Sequence, residues 1–238
     1  MKKRVLRVLV CGAAGRMGRA VRRELESAPG FAYAGGVDRQ PGDGLARASS
    51  LPQLLKRAAV VIDFSTPAAA CAAAVVCAEA GKPFVTGTTG FSAPQLAALK
   101  KAARHVPVFF SPNMSPAVNL TFALAAFTAS RLKGFDIHIH ETHHKAKKDA
   151  PSGTALRYAS CIAEARGAGP CITSARVGDV IGEHTVIYAG PHERVELTHR
   201  AHSRAVFAAG ALKAAVWLRG RKPGFYGYAD LLNLQGLL

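Results

Sequence analysis

Three features of this 238-residue sequence predict an α/β fold. Apolar, β-branched segments alternate with helical ones over residues 5–113, glycines fall at the first strand-to-helix turn, and a period-two alternation takes over in the second half. Strands and helices alternating at this spacing pack as a doubly wound parallel sheet with helices on both faces. Strands of alternating polarity belong instead to an open sheet with one wet face. The expected organisation is a first domain over residues 1–114, to which residues 212–238 return, and an α+β domain with an open mixed sheet over residues 115–211.

Each element follows from its pattern. Residues 5–11 form the apolar run of a fully buried parallel strand, and "GAAGRMGRAVRRELESA" behind it has helical periodicity. "AYAGGVD", ending at Asp38, reads as the second strand and "AAVVIDFS", residues 58–65, as the third. An alanine-rich helix over residues 67–80, the strand "KPFVTG", a helix over residues 93–104 and the strand "VPVFFSPN" complete this part. A long helix over residues 118–132 leads into "FDIHIHETHH", whose alternation marks a strand with one wet face, and "TSARVG", "HTVIYAG" and "RVELTHRA" repeat that pattern. A helix over residues 206–218 carries the chain back, residues 220–227 connect, and a short helix ends it.

Composition narrows the function classes. With 49% hydrophobic residues the chain can bury a core, which excludes disorder. The net charge of +16 invites a nucleic-acid reading, but the basic residues are scattered and aromatics are 7%. That lacks the interleaved pattern of a single-strand binder, so no nucleic-acid partner is expected. A basic surface equally concentrates small anions, such as a phosphorylated cofactor or a polycarboxylate. Five cysteines without a CxxC pair suit small buried hydrophobes in a reducing compartment. The start "MKKRVLRVLVCGAAG" has the charge and apolar run of a leader, yet Arg7 breaks the run, which flows into the glycines. No apolar stretch reaches the roughly 18 residues that span a bilayer, so a cytoplasmic protein without a membrane partner is expected.

Gly12, Gly15 and Gly18 stand as G-x-x-G-x-x-G directly after a strand and at the opening of a helix, the context of a dinucleotide fingerprint. The first glycine permits the tight turn. The second lets the N–H groups of Gly12, Ala13, Ala14 and Gly15 approach a pyrophosphate, to which the helix N-terminus adds partial positive charge. Arg16 and Arg19 are unfavourable at a helix start unless an anion compensates them. Asp38, twenty residues past Gly18, is spaced to bind the adenosine ribose, which makes the first domain Rossmann-type. A carboxylate there favours NADH, whereas Arg39 beside it can grip the 2′-phosphate of NADPH or stack on the adenine. Use of both NADPH and NADH is expected. The "GTTG" run with Gly87, Thr88 and Thr89, and Phe64 with Ser65, end two further strands, where the crevice of a doubly wound sheet lies.

The segment "ETHHKAKKDAPSGTA", residues 141–155, sets two adjacent histidines beside three lysines. A strand ending at Glu141 would deliver His143 and His144 to a loop, with Lys147 able to converge with His143 on one ligand. His138, His140, His143 and His144 suggest zinc, but the lysines repel a cation and no nearby cysteine or carboxylate cluster offsets them, so no metal is expected. A solvated charged loop is the plain alternative. Against it, Pro151 and Ser152 mark a helix start whose Gly153 and Thr154 expose N–H groups, an anion site. Histidines and lysines facing that start suit a small dicarboxylate, and a lysine there can act as a general acid.

These residues resemble the 4-hydroxy-tetrahydrodipicolinate reductase (dihydrodipicolinate reductase) family of diaminopimelate and lysine biosynthesis, nearly from end to end. The resemblance rests on "GAAGRMGR", "DFSTP", "GTTGF", "SPNMS", "ETHHKAKKDAPSGTA", "GEHTVIYAG", "ERVELTHRAHSRAVFAAGALKAAVWL" and "GFYGYADLL". It implies nicotinamide-dependent reduction of a cyclic imine dicarboxylate, with loss of the 4-hydroxyl as water. It further implies His143 and Lys147 as the catalytic pair, Lys147 donating a proton to the ring nitrogen, and His144, Lys147, Gly153 and Thr154 holding the carboxylates. Gly12, Arg16, Met17, Asp38, Arg39, Gly87, Thr89, Ser111, Pro112, Asn113 and Met114 would contact the cofactor. A homotetramer assembled through the sheet of the second domain is also implied. The sequence departs from the pattern at Pro116 and Ala117, where many members carry a glycine after "NMS", and between Ala165 and Val180, where a loop is shortened. Rival readings are another two-domain nicotinamide dehydrogenase acting on an amino acid, and a non-catalytic NAD(P)-binding sensor. Neither gives a reason for "HHKAKKDAPSGTA".

Overall fold

A computed structural model describes residues 5–40, 42 and 44–237. The first four residues of the segment weighed above as a leader lie outside them, as does Leu238, and the rest of that segment holds β1 and the glycine turn. In chain order the elements are β1 (Leu6–Cys11), α1 (Arg16–Ser27), β2 (Phe31–Asp38), β3 (Ala46–Arg47), a 3-10 turn (Ala48–Ser50), α2 (Leu51–Leu55), β4 (Val60–Asp63), α3 (Pro67–Glu79), β5 (Phe84–Thr86), α4 (Ala93–Ala102) and β6 (Pro107–Phe110). They continue as α5 (Pro116–Arg131), β7 (Asp136–His143), α6 (Gly153–Arg166), β8 (Cys171–Arg176), β9 (Glu183–Ala189), β10 (Arg194–Arg200), α7 (Ala205–Leu218), β11 (Gly224–Tyr226) and α8 (Tyr228–Leu231). Two units result: Met1–Met114 with Ala205–Gly227, and Ser115–Arg204 with Tyr228–Leu238.

In the first unit seven strands run parallel in the order β11-β6-β5-β4-β1-β2-β3. The order reverses between β1 and β4, and ligands of such sheets bind at the carboxyl ends of the strands beside that reversal. Alternate strand residues feed two apolar layers. Leu9, Cys11, Val61, Phe84 and Val108 pack with Leu51, Leu55, Ala74, Cys77 and Leu99 of α2, α3 and α4. On the other face α1 and α7 pack together, and Trp217 of α7 meets Phe109 of β6 edge-on at 6.2 Å. The small residues of α3 allow close packing on the sheet: Ala70, Ala74 and Cys77 have no exposed surface.

The second unit lays α5 and α6 over one face of a mixed sheet ordered β10-β9-β7-β8, in which β7 and β8 are parallel and the other pairs antiparallel. Phe122 of α5 and Tyr158 of α6 meet edge-on at 4.6 Å, and Tyr188 of β9 donates its hydroxyl proton to the Ala125 carbonyl at 2.7 Å. All five cysteines are free; Cys11, Cys77 and Cys161 are buried, whereas Cys171 is exposed on β8.

Several expectations shift. The helix expected from residue 118 begins at Pro116, whose fixed φ and missing N–H suit a first-turn position, with the Ser115 hydroxyl accepting from the Val118 N–H at 3.3 Å. The return to the first unit begins at Ala205 rather than residue 212. Residues 220–227 are no plain connection, because β11 pairs with β6 there. The last residues belong with the second unit, where α8 packs against α5. The segment between residues 165 and 180 holds the end of α6, where Gly167 stands in the left-handed region at φ 86°, and strand β8, which starts four residues later.

Candidate functional site

In the first unit the glycine loop leaves β1 at the sheet reversal. Gly12 has φ 72°, and a Cβ on it would overlap the Phe64 carbonyl. A Cβ on Gly18 would strike the Gly12 carbonyl, so this glycine serves close packing of α1 on the turn. The Asp38 carboxylate accepts from the Ala14 N–H at 2.9 Å and the Arg39 N–H at 2.7 Å, which ties the loop to the end of β2. Arg19 donates through Nε to the Ala14 carbonyl at 2.9 Å, while Arg16 and Arg39 are exposed. A cavity of about 770 Å³ opens here, lined by Gly12, Ala14, Gly15, Asp38, Arg39 and Phe64, and by Arg47 and Ser49. Its size and its glycine cradle fit an adenine nucleotide.

Phe64 and Gly87 form one contact, since a Cβ on Gly87 would enter the Phe64 ring. Beside them lies fully buried Asp63. It accepts from the hydroxyls of Ser65 at 2.5 Å, Thr86 at 2.8 Å and Thr88 at 2.7 Å, so it joins the ends of β4 and β5. Burial raises its carboxyl above the ordinary range, and these hydroxyls oppose the shift. Thr88 is buried, Thr89 is exposed, and Ser111 donates to the Asn113 carbonyl at 2.6 Å just past β6, with Met114 buried behind it.

In the second unit β7 runs through to His143, so this histidine stands on the strand rather than in the expected loop. Alternation puts Ile137, Ile139, Glu141 and His143 on the inner face, and His138 and His140 on the outer one, where both bond the Thr173 hydroxyl. Glu141 has no exposed surface. Its Oε1 accepts from Arg176 at 2.8 Å and from the Ser152 N–H at 3.2 Å; its Oε2 accepts from Arg176 at 3.1 Å and from Nδ1 of His143. Burial alone would raise the Glu141 carboxyl; bonds from Arg176, Ser174 and His143 overcome it and hold the group at about 2. Burial lowers the His143 imidazole below its ordinary value, with Glu141 pulling against it.

His184 of β9 completes the cluster. Its Nε2 pairs with the Ser152 hydroxyl at 3.1 Å, and its ring meets that of His143 edge-on at 5.1 Å. Burial, with His143 next, drives this imidazole down to about 3. Glu141, His143 and His184 bring three potential ligand atoms within 4.8 Å of one another. A divalent ion there would have to displace the Arg176 guanidinium and break the Glu141–His143 bond, so the donor set suits an internal network better than a metal.

Lys147 follows just past the end of β7, near enough for its charge to lower the His143 imidazole further. Its ammonium pairs with both carboxylate oxygens of Asp149 at 2.9 Å, and its N–H bonds the His144 carbonyl at 3.1 Å. Ser152 caps α6 as expected, accepting from the Ala155 N–H at 3.2 Å. Gly153 and Thr154 open that helix, and a Cβ on Gly153 would meet nothing within 4 Å, so the helix start is open to a ligand there. Sequence reasoning missed Asp63, Arg47, Ser49, Arg176 and His184, and gave Glu141 no role. For Glu141 a signal existed: a carboxylate in phase with Ile137 and Ile139 must be buried and therefore paired.

A parallel sheet with a glycine-rich first turn and an acid after β2, joined to a mixed-sheet unit bearing a histidine and lysine cluster, defines a two-domain nicotinamide-nucleotide oxidoreductase. Its family is narrower still. "Dihydrodipicolinate reductase, N-terminus" matches residues 6–114 and "Dihydrodipicolinate reductase, C-terminus" residues 117–232. The chain therefore belongs to the dihydrodipicolinate reductase family. It is 43% identical to the 4-hydroxy-tetrahydrodipicolinate reductase of Anaeromyxobacter dehalogenans strain 2CP-1, over 97% of this chain and 98% of that one. It is 40% identical to the enzyme of that name from Thiobacillus denitrificans, over 97% and 99%. Among solved structures, dipicolinate-bound dihydrodipicolinate reductase from Paenisporosarcina sp. TG-14 superposes with a TM-score of 0.83 at 23% identity, covering 95% of this chain and 99% of that chain, a likeness of fold. No helix among the described residues is long and apolar enough to cross a membrane.

The buried cluster sets a pH dependence of stability. An unfolded His184 takes up a proton below its ordinary 6.5, whereas the folded one resists until about 3, so stability is lost as pH falls between these values. Lowered His143 acts in the same direction. Glu141 contributes stability that is present above its ordinary 4.5 and lost as pH falls towards 2. Urea unfolding at pH 5 should show a stability about 2 kcal/mol lower than at pH 7 from His184 alone. His184→Gln should flatten that slope, and a slope that persists unchanged would contradict a buried neutral imidazole.

Proposed function

We propose that this chain is an NAD(P)H-dependent reductase of 4-hydroxy-tetrahydrodipicolinate, which takes up a hydride and a proton and releases tetrahydrodipicolinate and water. The observation that carries the reading is one sequence matching both halves of the family and holding a nucleotide cradle in one unit with a buried His143–Glu141 pair beside Lys147 in the other. A bound dihydronicotinamide supplies the hydride. The residues of this chain bind, orient and move the proton.

In this reading Gly12, Ala13, Ala14, Gly15, Arg16 and Met17 receive the pyrophosphate at the start of α1, and Asp38, oriented by its two backbone bonds, takes the ribose. Arg39 reads the 2′-phosphate, with Arg47 and Ser49 lining the same cavity, so NADPH is accepted alongside NADH. Phe64, Gly87, Thr88, Thr89 and the run from Ser111 through Pro112 and Asn113 to Met114 border the nicotinamide. His144, Lys147, Gly153 and Thr154 hold the substrate carboxylates at the positive start of α6. Lys147 gives a proton to the ring nitrogen, a carboxylate of the substrate taking the place of Asp149 beside its ammonium. His143 is its partner in the pair.

The reaction is tested by following reduced-nicotinamide absorbance as the purified protein meets 4-hydroxy-tetrahydrodipicolinate generated in situ. Oxidation that does not depend on that substrate would exclude the reading. Lys147→Ala should lower kcat by about 100-fold or more while NADPH affinity, measured by fluorescence titration, stays within twofold; equal loss of both would refute the assignment. Arg39→Ala should raise the Kd of NADPH about tenfold, a loss near 1.4 kcal/mol, and leave that of NADH unchanged. A homotetramer formed through the second sheet belongs to the same proposal, supported by β10, which is exposed or half-buried along its length. Analytical ultracentrifugation should then find a species four times the 25.0 kDa chain mass.

A further inference from the structure

Glu141 is the most constrained group in the second unit. A carboxylate is acceptor-only when ionised. Besides the Ser174 hydroxyl, which can donate, its contacts are two guanidinium nitrogens of Arg176, the Ser152 N–H and the His143 Nδ1. Arg176 and an amide cannot accept, so they keep the carboxylate in its ionised, accepting form. Nδ1 of His143 must therefore carry the hydrogen. The neutral imidazole is left with its lone pair on Nε2, and the protonated one has its positive charge lying against a carboxylate.

The other side of the ring is equally determined. Nε2 lies against Gly182, where a Cβ would come within 2.9 Å of that nitrogen, so the ring is held in this place only because position 182 carries no side chain. The charged and titratable groups around His143 are Glu141 on its own strand, Arg176 on β8, His184 on β9 and Lys147 beyond the strand end. Arg176 also donates to the carbonyls of Ala175 at 2.7 Å and Asp149 at 2.6 Å, so the guanidinium cannot swing away without abandoning backbone acceptors on both sides of the cluster.

We propose that Glu141 is a positioning residue for His143: anchored by Arg176 and by the start of α6, it fixes the imidazole as the Nδ1–H tautomer and so keeps Nε2 as the nitrogen with the free lone pair. The proposal rests on the reading that His143 touches the substrate. An alternative role, a structural clamp joining β7, β8 and α6, would make the carboxylate matter for stability but leave the tautomer and turnover of the folded protein indifferent to it.

The test begins with the unaltered protein. Long-range proton–nitrogen NMR of 15N-histidine-labelled protein, with His143 assigned by the signal lost in His143→Gln, should show Nδ1–H and an unprotonated Nε2 for the neutral ring. An Nε2–H tautomer overturns the proposal without any variant at Glu141. In Glu141→Gln, whose amide can donate to Nδ1, the tautomer should flip and kcat should fall about 100-fold, with KM and NADPH affinity within threefold. Glu141→Asp, which keeps the charge, should recover part of kcat and the native tautomer. Wild-type turnover in folded Glu141→Gln would overturn the proposal, and if that variant does not fold, the Asp variant and the unaltered protein decide. His143→Gln with full turnover would instead remove the underlying reading of His143, whereas a slow His143→Gln beside a fast Glu141→Gln would remove this proposal alone.

Discussion

The second unit is organised around one buried charge. Glu141 has no exposed surface, and an isolated carboxylate in that position would cost far more than the fold can supply. The sheet and helix meet its needs jointly: β8 brings the Arg176 fork, α6 brings the Ser152 N–H, and β7 itself brings His143. Removing one partner of such a group costs about 3–5 kcal/mol, because the other is left charged and unpaired. Register, helix docking and imidazole orientation are therefore one constraint seen from three elements. The same bonds that secure the fold also hold a histidine still.

The first unit solves a different problem. A nucleotide must come close to backbone, so its loop is stripped of side chains where they would collide, at Gly12, Gly18 and Gly87. Stripping makes a loop floppy, and carboxylates restore the order. Asp38 binds the loop to β2 through the Ala14 N–H, and Asp63 gathers the hydroxyls of Ser65, Thr86 and Thr88 at the ends of β4 and β5. Neither acid needs a cation to do this. Uncharged donors leave the positive charge of Arg39 and Arg47 directed to the cavity rather than spent within the protein.

How much of this was legible depends on the distance over which each signal acts. The strand-to-helix rhythm, the glycine turn and the Ser152 cap are local, and they read correctly from spacing. Strand β11 sits in "KPGFYG", where glycine and proline signal a connection, and only the edge of β6 turns it into a strand. The pairing of α8 with α5 and the reach of Arg176 to Glu141 join residues far apart in sequence. The run "HHKAKK" is local too, and Lys147 finds its ion-pair partner Asp149 only two residues on. Glu141 was within reach: period two placed it among isoleucines.

The surplus of positive charge follows from the same division of labour. The chain has 31 lysines and arginines against 15 acids, a surplus spread along the sequence. At long range a solute meets the field of that net positive charge. A phosphorylated nucleotide and a dicarboxylate are both drawn by it, and association is the step it assists, since steering acts before contact. Beyond about 10 Å in ordinary salt the field is screened. Recognition at contact is left to short-range hydrogen bonds, which act only once the partners touch.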